Sequence, residues 1–145
     1  MVFKRKPILK NLSQGARLKF IRNLYGVTQQ ELGEYLGYGS HSRSLISRYE
    51  SNGRGLKEET ISLIAEYLHI NPQMLKQFKF IEADEQINYM LWLEGLFPDI
   101  VIPFDQLKNF SDNNKMLNEW EQMNKKYKSE EIDYFEYWKW KLKNN

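Results

Sequence analysis

The chain has 145 residues, 41% of them hydrophobic, and its 21 Lys and Arg against 19 Asp and Glu leave a net charge of only +2. The absence of cysteine excludes a disulfide framework and thiolate metal sites, and two histidines far apart in sequence make a zinc cluster unexpected. The longest apolar run, Tyr89 to Leu93, is far below the roughly 18 residues of a membrane span, and no apolar signal segment opens the chain, so a soluble cytoplasmic protein without a cofactor is predicted.

The amino-terminal segment is strongly basic. Its four basic residues are Lys4, Arg5, Lys6 and Lys10. Such a segment is typical of a solvated tail or of an arm that lies along DNA phosphates, and the pattern alone leaves both open. A first helix is predicted from about Ser13 to Tyr25, with Leu18, Ile21 and Leu24 inward and Gly26 as its C-cap.

Two amphipathic helical patterns follow, separated by a glycine-rich joint at residues 37–39. Thr28 can cap the first helix, in which Gly33 leaves room for a second helix to cross closely. In the second helix, Leu45, Ile46 and Tyr49 form an inward stripe, and Arg43, Ser44, Ser47 and Arg48 form the opposite face. That arrangement predicts a helix-turn-helix.

The outward face of the second helix has the chemistry of base recognition in the major groove. Arg43 and Arg48 can each offer two donors to guanine, and Ser44 and Ser47 can donate to or accept from most base edges. In the joint, His41 and Ser42 are candidates for base contact, or alternatively a cap and a turn. The predicted base contacts are His41, Ser42, Arg43, Ser44, Ser47 and Arg48.

A second group of residues is predicted to contact phosphates. The first-turn amides of the helix that begins at Thr28 can bind an anion, and the polar turn at residues 51–55 can line the DNA backbone. The predicted phosphate contacts are Thr28, Gln29, Gln30, Asn52 and Arg54. A fourth helix from about Lys57 to Leu68 and a short fifth one carrying Met74 and Leu75 are predicted to supply core residues.

Residues 17–75 resemble the DNA-binding domain of the phage-repressor and Cro type, also called the xenobiotic-response-element family. The matching residues are Gly26, Thr28, Gln29, Leu32, Gly33, Leu36, Gly37, Ile46, Ser47, Arg48, Glu50, Thr60, Ile61, Ile64, Ala65 and Leu68. The resemblance implies a five-helix, DNA-binding regulator that is not an enzyme. It also implies an ion pair between Arg22 and Glu50, whereas from the residues alone Arg22, a basic residue on the first helix, could instead meet a phosphate. The joint at residues 38–42 is about three residues longer than the usual family turn.

The second half is also predicted to be helical. Residues 83–97 form a helix that is apolar on nearly all sides and must be covered by something. Residues 100–102 are a short extended run, and residues 105–113 a loop or a single helical turn. A helical hairpin follows, in which Asp133 and Glu136 form a capping box. Its pattern from Trp120 to Lys141 is similar to the tails of some regulators from bacterial mobile elements.

The charge is distributed unequally. Residues 1–80 hold 13 basic and 6 acidic residues, and residues 81–145 hold 8 and 13. The first stretch is therefore predicted to be a DNA-binding domain, and the second a helical domain for dimerisation or partner binding. The predicted interface residues are Ile87, Met90, Leu91, Trp92, Trp120, Tyr137 and Trp140.

No catalytic motif is present in the sequence, which lacks a phosphate-binding loop, a zinc-protease motif and a nucleophile elbow. Two functions are left open. One is a repressor or regulator that binds a palindromic operator as a homodimer. The other is an autoregulated antitoxin or inhibitor whose carboxy-terminal half binds another protein.

Overall fold

The computed structural model describes residues 5–79, 83–110 and 114–143. The chain divides into two compact units, with the boundary between Gln77 and Phe78. Every regular element in the described ranges is helical, so the predicted all-α fold with a helix-turn-helix in its first part is confirmed. None of the described helices has the length and apolar character needed to cross a bilayer.

The first unit contains four α-helices and two short 3-10 turns. The helices are α1 (Gln14–Leu24), α2 (Gln29–Tyr35), α3 (Ser42–Glu50) and α4 (Glu58–Leu68), and the turns span Gly39–His41 and Pro72–Leu75. The predicted fifth helix is therefore a single 3-10 turn. Asn71 caps it by accepting a hydrogen bond from the Gln73 amide at 2.9 Å, and the backbone becomes extended at Lys76.

The helix ends follow from side chains that satisfy the first free amides. Ser13 Oγ accepts from the Ala16 amide at 3.2 Å, and Thr28 Oγ1 accepts from the Glu31 amide at 3.0 Å. After α1, Gly26 takes the left-handed conformation, with φ +67°, that stops a helix at little cost. The predicted starts of α1 and α2 are confirmed.

Two buried polar side chains of α1, Gln14 and Arg17, bind the end of the first unit to its first helix. Arg17 donates to the carbonyls of Leu12, Met74 and Lys76 at 2.7 to 3.1 Å. Gln14 donates to the Leu75 carbonyl at 2.8 Å and accepts from the Leu56 amide at 3.1 Å. Burial lowers the pKa of the Arg17 guanidinium to about 10. These bonds satisfy backbone groups of the 72–76 segment and hold it against α1.

The second unit is described by four helices. They are α5 (Ala83–Leu96), α6 (Phe104–Phe110), α7 (Asn114–Lys128) and α8 (Tyr134–Lys143). Where a loop or single turn was predicted for residues 105–113, the described part is the seven-residue helix α6, whose Phe104 packs edge-on against Trp120 at 5.1 Å. Residues 111–113 lie outside the described ranges.

The predicted hairpin of α7 and α8 is present. Asp133 Oδ1 accepts from the Glu136 amide at 2.8 Å and so caps the start of α8. Residues 100–102 are not part of any strand, as predicted for a short extended run.

A buried polar network lies in the core of the second unit. Glu94 Oε1 accepts from Lys141 Nζ at 2.8 Å, Tyr137 Oη at 2.6 Å and Trp120 Nε1 at 3.1 Å. Its Oε2 accepts from Asn124 Nδ2 at 3.1 Å, and Lys141 also donates to the Leu91 carbonyl at 3.0 Å. Burial lowers the pKa of Lys141 to about 8, and burial followed by the Glu94 charge raises that of Tyr137.

The structure corrects most of the predicted interface. Five of the seven residues, Ile87, Leu91, Trp92, Trp120 and Tyr137, are buried within one chain. Their role is to form the core of a small unit, because a unit of this size needs its largest apolar side chains for itself. Met90 and Trp140 are half-buried and keep some accessible surface.

Candidate nucleic-acid interface

The positions of α2 and α3 depend on one close crossing. A Cβ atom added to Gly33 would overlap both the backbone and the side chain of Ser42. Ser42 is itself completely buried, and its Oγ donates to the Gly39 carbonyl at 2.7 Å. Ser42 therefore stabilises the joint between the helices, and the predicted base contact by this residue is corrected. Its burial follows from α3 starting at Ser42 itself, directly after the 3-10 turn.

The outward face of α3, formed by Arg43, Ser44, Ser47 and Arg48 and called the reading face below, remains open to a ligand. Arg43, Ser44, Ser47 and Arg48 are all exposed, and Ile46 and Tyr49 on the other face are buried. Ser44 Oγ donates to the His41 carbonyl at 3.0 Å, which leaves its lone pairs as acceptors.

The joint leaves His41 exposed at the start of α3. Four side chains of the outward face and His41 can therefore reach a groove together.

An ion pair fixes the carboxy-terminal end of α3. Arg22 Nε lies 2.6 Å from Glu50 Oε2, and Arg22 Nη2 lies 3.0 Å from Glu50 Oε1. Arg22 also donates to the Val27 carbonyl at 2.9 Å, and Gln29 Nε2 donates to Glu50 Oε1 at 3.2 Å. Both charged side chains are about nine-tenths buried or more. One bidentate pair thus connects α1, the start of α2 and the end of α3.

The predicted phosphate contacts divide by what their side chains already bind. Thr28 Oγ1 bonds both the amide and the carboxylate of Glu31, and Gln30 donates to Glu34 at 2.8 Å. Asn52, at φ 63°, accepts from the Gly15 amide at 2.8 Å and donates to Ser13 Oγ at 3.0 Å. These three side chains serve the fold, which weakens their case as phosphate contacts. Gln29 donates to Glu50 but has a second amide hydrogen that can reach a phosphate.

Arg54 remains the strongest charged candidate in the turn. It is exposed, and its guanidinium carbon lies 5.9 Å from the centroid of the Tyr49 ring. Tyr49 Oη in turn lies 3.0 Å from Tyr38 Oη. Burial, and then the hydrogen bond to Tyr49, raises the pKa of Tyr38 to about 12. The Tyr49 ring thus positions Arg54 beside the end of α3 by a cation–π contact, and the Tyr38 hydroxyl supports that ring.

A groove of about 680 Å³ extends from the reading face to the amino-terminal segment. Gln29 and Ser47 line it, together with four cations, Arg5, Lys6, Lys10 and Lys19. Glu50, the acidic residue in its lining, is neutralised by Arg22. Lys4, the fourth predicted arm residue, lies outside the described residues. The amino-terminal segment and one residue of the outward face of α3, Ser47, therefore line the same basic concave surface.

Lys19 was missed by sequence reasoning. It is an exposed residue on α1, where a lysine usually means only a solvated face. Lys19 lines the groove because the amino-terminal segment folds beside α1. Helical periodicity in the sequence does not reveal that position. Among the described residues no cluster of metal-binding side chains was found.

Comparison with known families identifies the first unit. A family model described as "Helix-turn-helix" matches residues 18–75. The match covers most of α1, all of α2, α3 and α4, and the 3-10 turn at residues 72–75. No curated protein and no solved structure matches the chain.

Proposed function

Residues 18–75 are a helix-turn-helix domain of the DNA-binding transcription-regulator type, and from this premise we propose that the protein is a sequence-specific repressor. It binds a palindromic operator as a homodimer in the cytoplasm, with residues 1–80 on the DNA and residues 81–145 joining the two copies. The observation that carries the proposal is the exposed face of Arg43, Ser44, Ser47 and Arg48 on a helix fixed at both ends.

The two ends of α3 give the reading face a fixed orientation. The Gly33–Ser42 contact holds its start, and the Arg22–Glu50 pair holds its end. A helix held in this way presents its side chains to base edges without first ordering the backbone, so less entropy is lost on binding. Arg43 and Arg48 are the expected guanine readers, with Ser44, Ser47 and His41 at neighbouring positions.

Phosphate binding is assigned to the groove beside that face. Its four cations can neutralise the backbone that flanks the contacted bases, with Gln29 as a neutral donor. Arg54 extends the basic surface at the end of α3. These contacts set affinity and register, and the base contacts set the sequence.

Selection of binding sites from a random double-stranded DNA library tests the proposal. The parent should enrich one sequence with two-fold symmetry. Arg43→Ala and Arg48→Ala should each relax the preference at one or two base positions, at about 1 to 3 kcal/mol per lost bidentate contact. Lys57→Ala, which removes an exposed charge before α4, is the matched control and should keep the parent's preferences. Variants that change affinity equally for all sequences would contradict the assignment of the reading face.

The acidic second half supports one further candidate. Its 13 acidic against 8 basic residues suit a protein partner, as in an antitoxin or inhibitor that represses its own promoter. Co-purification of the full chain with a stoichiometric heterologous protein would favour this function over the simple homodimer.

A further inference from the structure

Helix α5 has one face in the core of the second unit. Ile87, Leu91 and Trp92 are buried on that face, and Glu94 enters the network with Lys141 beside it. With about 100° of rotation per residue, these positions occupy one side of the helix. The helix is nonetheless apolar on nearly all sides, and its core contacts account for only part of that apolar surface.

A second stripe, uncharged and apolar apart from Gln86, lies on the opposite side of α5. It consists of Gln86, Met90, Leu93 and Phe97, which fall within about 60° of one another and are called the α5 seam below. Gln86 is exposed, Met90 and Leu93 are half-buried, and 57% of Phe97 is accessible. Phe97 continues the helix, because its amide donates to the Leu93 carbonyl at 2.9 Å.

The spacing of the seam is that of a helix-pairing surface. Steps of four, three and four residues are the a and d positions of a heptad pattern, which keeps one seam facing another helix. None of the four residues is charged. A seam without charge can face its own copy without bringing like charges together. The other surfaces of the second unit carry a surplus of acidic residues and would repel their own copy.

We propose that the α5 seam of one chain packs against the α5 seam of a second copy. The assignment rests on the proposed dimeric function and specifies the surface that makes it. In an antiparallel arrangement the contacts would be self-complementary, with Met90 opposite Leu93 of the second copy and Gln86 opposite Phe97, as a two-fold axis requires. The core residues Leu91 and Trp92 keep their places, so the dimer forms between folded chains.

The seam is short, and its size predicts a weak dimer. A specific interface buries roughly 1,000 Å² or more in total, and four side chains per copy provide no more than about that area. We therefore expect dimerisation at micromolar concentration in free solution. Operator DNA holds two chains side by side and so raises their effective concentration for each other. Binding to a palindrome should therefore be cooperative.

Sedimentation velocity of the full chain tests the seam. The parent should be a dimer at high micromolar concentration, and Leu93→Glu should be a monomer, with dimerisation weakened at least about 100-fold. Gln122→Glu, which adds the same charge at an exposed site on α7, should remain dimeric. Helical circular dichroism equal to the parent's shows that the variants are folded.

Two further measurements distinguish a lost dimer contact from a variant that is simply unstable. Met90→Lys should also be monomeric, and an equal mixture of Leu93→Glu and Met90→Lys should form a heterodimer, because residue 93 of one copy lies opposite residue 90 of the other. The chain has no cysteine, so a Met90→Cys, Leu93→Cys variant offers thiols only at the seam and should form a covalent dimer on oxidation.

Failure of the seam and failure of the proposed function give different results. A monomeric parent, or a Leu93→Glu protein that stays dimeric, overturns the seam, whichever DNA is bound. Loss of the proposed function would instead appear as a parent that binds all DNA sequences equally. A monomeric Leu93→Glu that retains the parent's half-site preference with weaker, non-cooperative binding supports both.

Discussion

Arg54 illustrates how neighbouring side chains can position a single charge. Its guanidinium lies over the ring of Tyr49, whose hydroxyl contacts that of Tyr38, so the charge is positioned at the end of α3. A cation held in this way loses less side-chain conformational entropy when it binds a phosphate.

Replacing Arg54 by alanine should therefore weaken binding to operator and random DNA by similar factors. Because one phosphate contact is lost, the slope of log affinity against log salt should fall by about one unit. Fluorescence anisotropy over a salt series measures both quantities. Gln29→Ala, which removes a neutral donor, should leave the slope unchanged. An Arg54→Ala protein with the parent's slope would remove Arg54 from the interface.

Lys141 gives the second unit a dependence on pH. Burial lowers its folded pKa to about 8, below the value near 10.4 of an unfolded lysine, so between these limits the unfolded chain binds more protons. The free energy of unfolding should then rise between pH 8 and 10, by at most about 1.4 kcal/mol per pH unit. Above pH 10 the raised pKa of Tyr137 acts in the opposite direction, because only the unfolded tyrosine ionises.

Urea unfolding of the second unit from pH 7 to 10 measures this effect. The double variant Glu94→Gln, Lys141→Met removes both charges and keeps an amide oxygen for Trp120 and Tyr137. It should show no rise in that range. A parent whose stability falls steadily from pH 8 to 10 would contradict the lowered pKa of Lys141.

At the scale of elements, the crossing of α2 and α3 is the contact on which the reading face depends. Gly33 meets Ser42 without any space for a methyl group, whereas a Cβ at Gly53 would make ordinary contact at 3.5 Å with the Arg48 carbonyl. The two glycines thus provide a matched pair, since neither has a positive φ.

Gly33→Ala should destabilise the first unit by about 1 to 3 kcal/mol, the usual cost of overpacking, and should weaken operator binding because α3 is displaced. Gly53→Ala should change both properties little. Chemical denaturation and anisotropy with operator DNA measure the two effects. Equal behaviour of the two variants would show that the crossing tolerates a side chain.

The sequence predicted the elements that depend on local signals. The start of α1 near Ser13, the cap at Thr28 and the hairpin of α7 and α8 follow from short-range patterns and are present. The sequence left Ser42 open between a base contact and a turn residue, because the 3-10 turn that buries it has no distinctive sequence. Arg17 was missed for a related reason: its three carbonyl acceptors include two far along the chain.

The interface was mispredicted because apolar character does not distinguish a core from a contact surface. Trp92 and Trp120 are the largest buried side chains of the second unit, and only the folded chain shows that their surfaces are already covered. Met90 and Leu91 lie on different sides of α5, because consecutive helical residues are about 100° apart. Both sides are apolar in sequence, so the pattern does not reveal which one faces the core.

For the whole molecule, the unequal charge assigns different tasks to the two units. The first has a basic groove and the second a surplus of acidic residues, so DNA attracts one and repels the other. Residues 1–80 alone should accordingly fold as a largely monomeric, weak DNA binder, while the full chain is a dimer. Sedimentation and operator titration of both proteins decide this, and a dimeric 1–80 fragment would move the joining surface into the first unit.

The distribution of tryptophan gives each unit its own optical signal. All four tryptophans, Trp92, Trp120, Trp138 and Trp140, belong to the second unit, and the first has only tyrosine and phenylalanine as aromatic residues. Because Trp92, Trp120 and Trp138 are buried, emission excited at long wavelength should be blue-shifted and should move to the red only when the second unit unfolds. Melting of the DNA-binding unit would be silent in that channel, so the order in which the two units unfold is readable without any label.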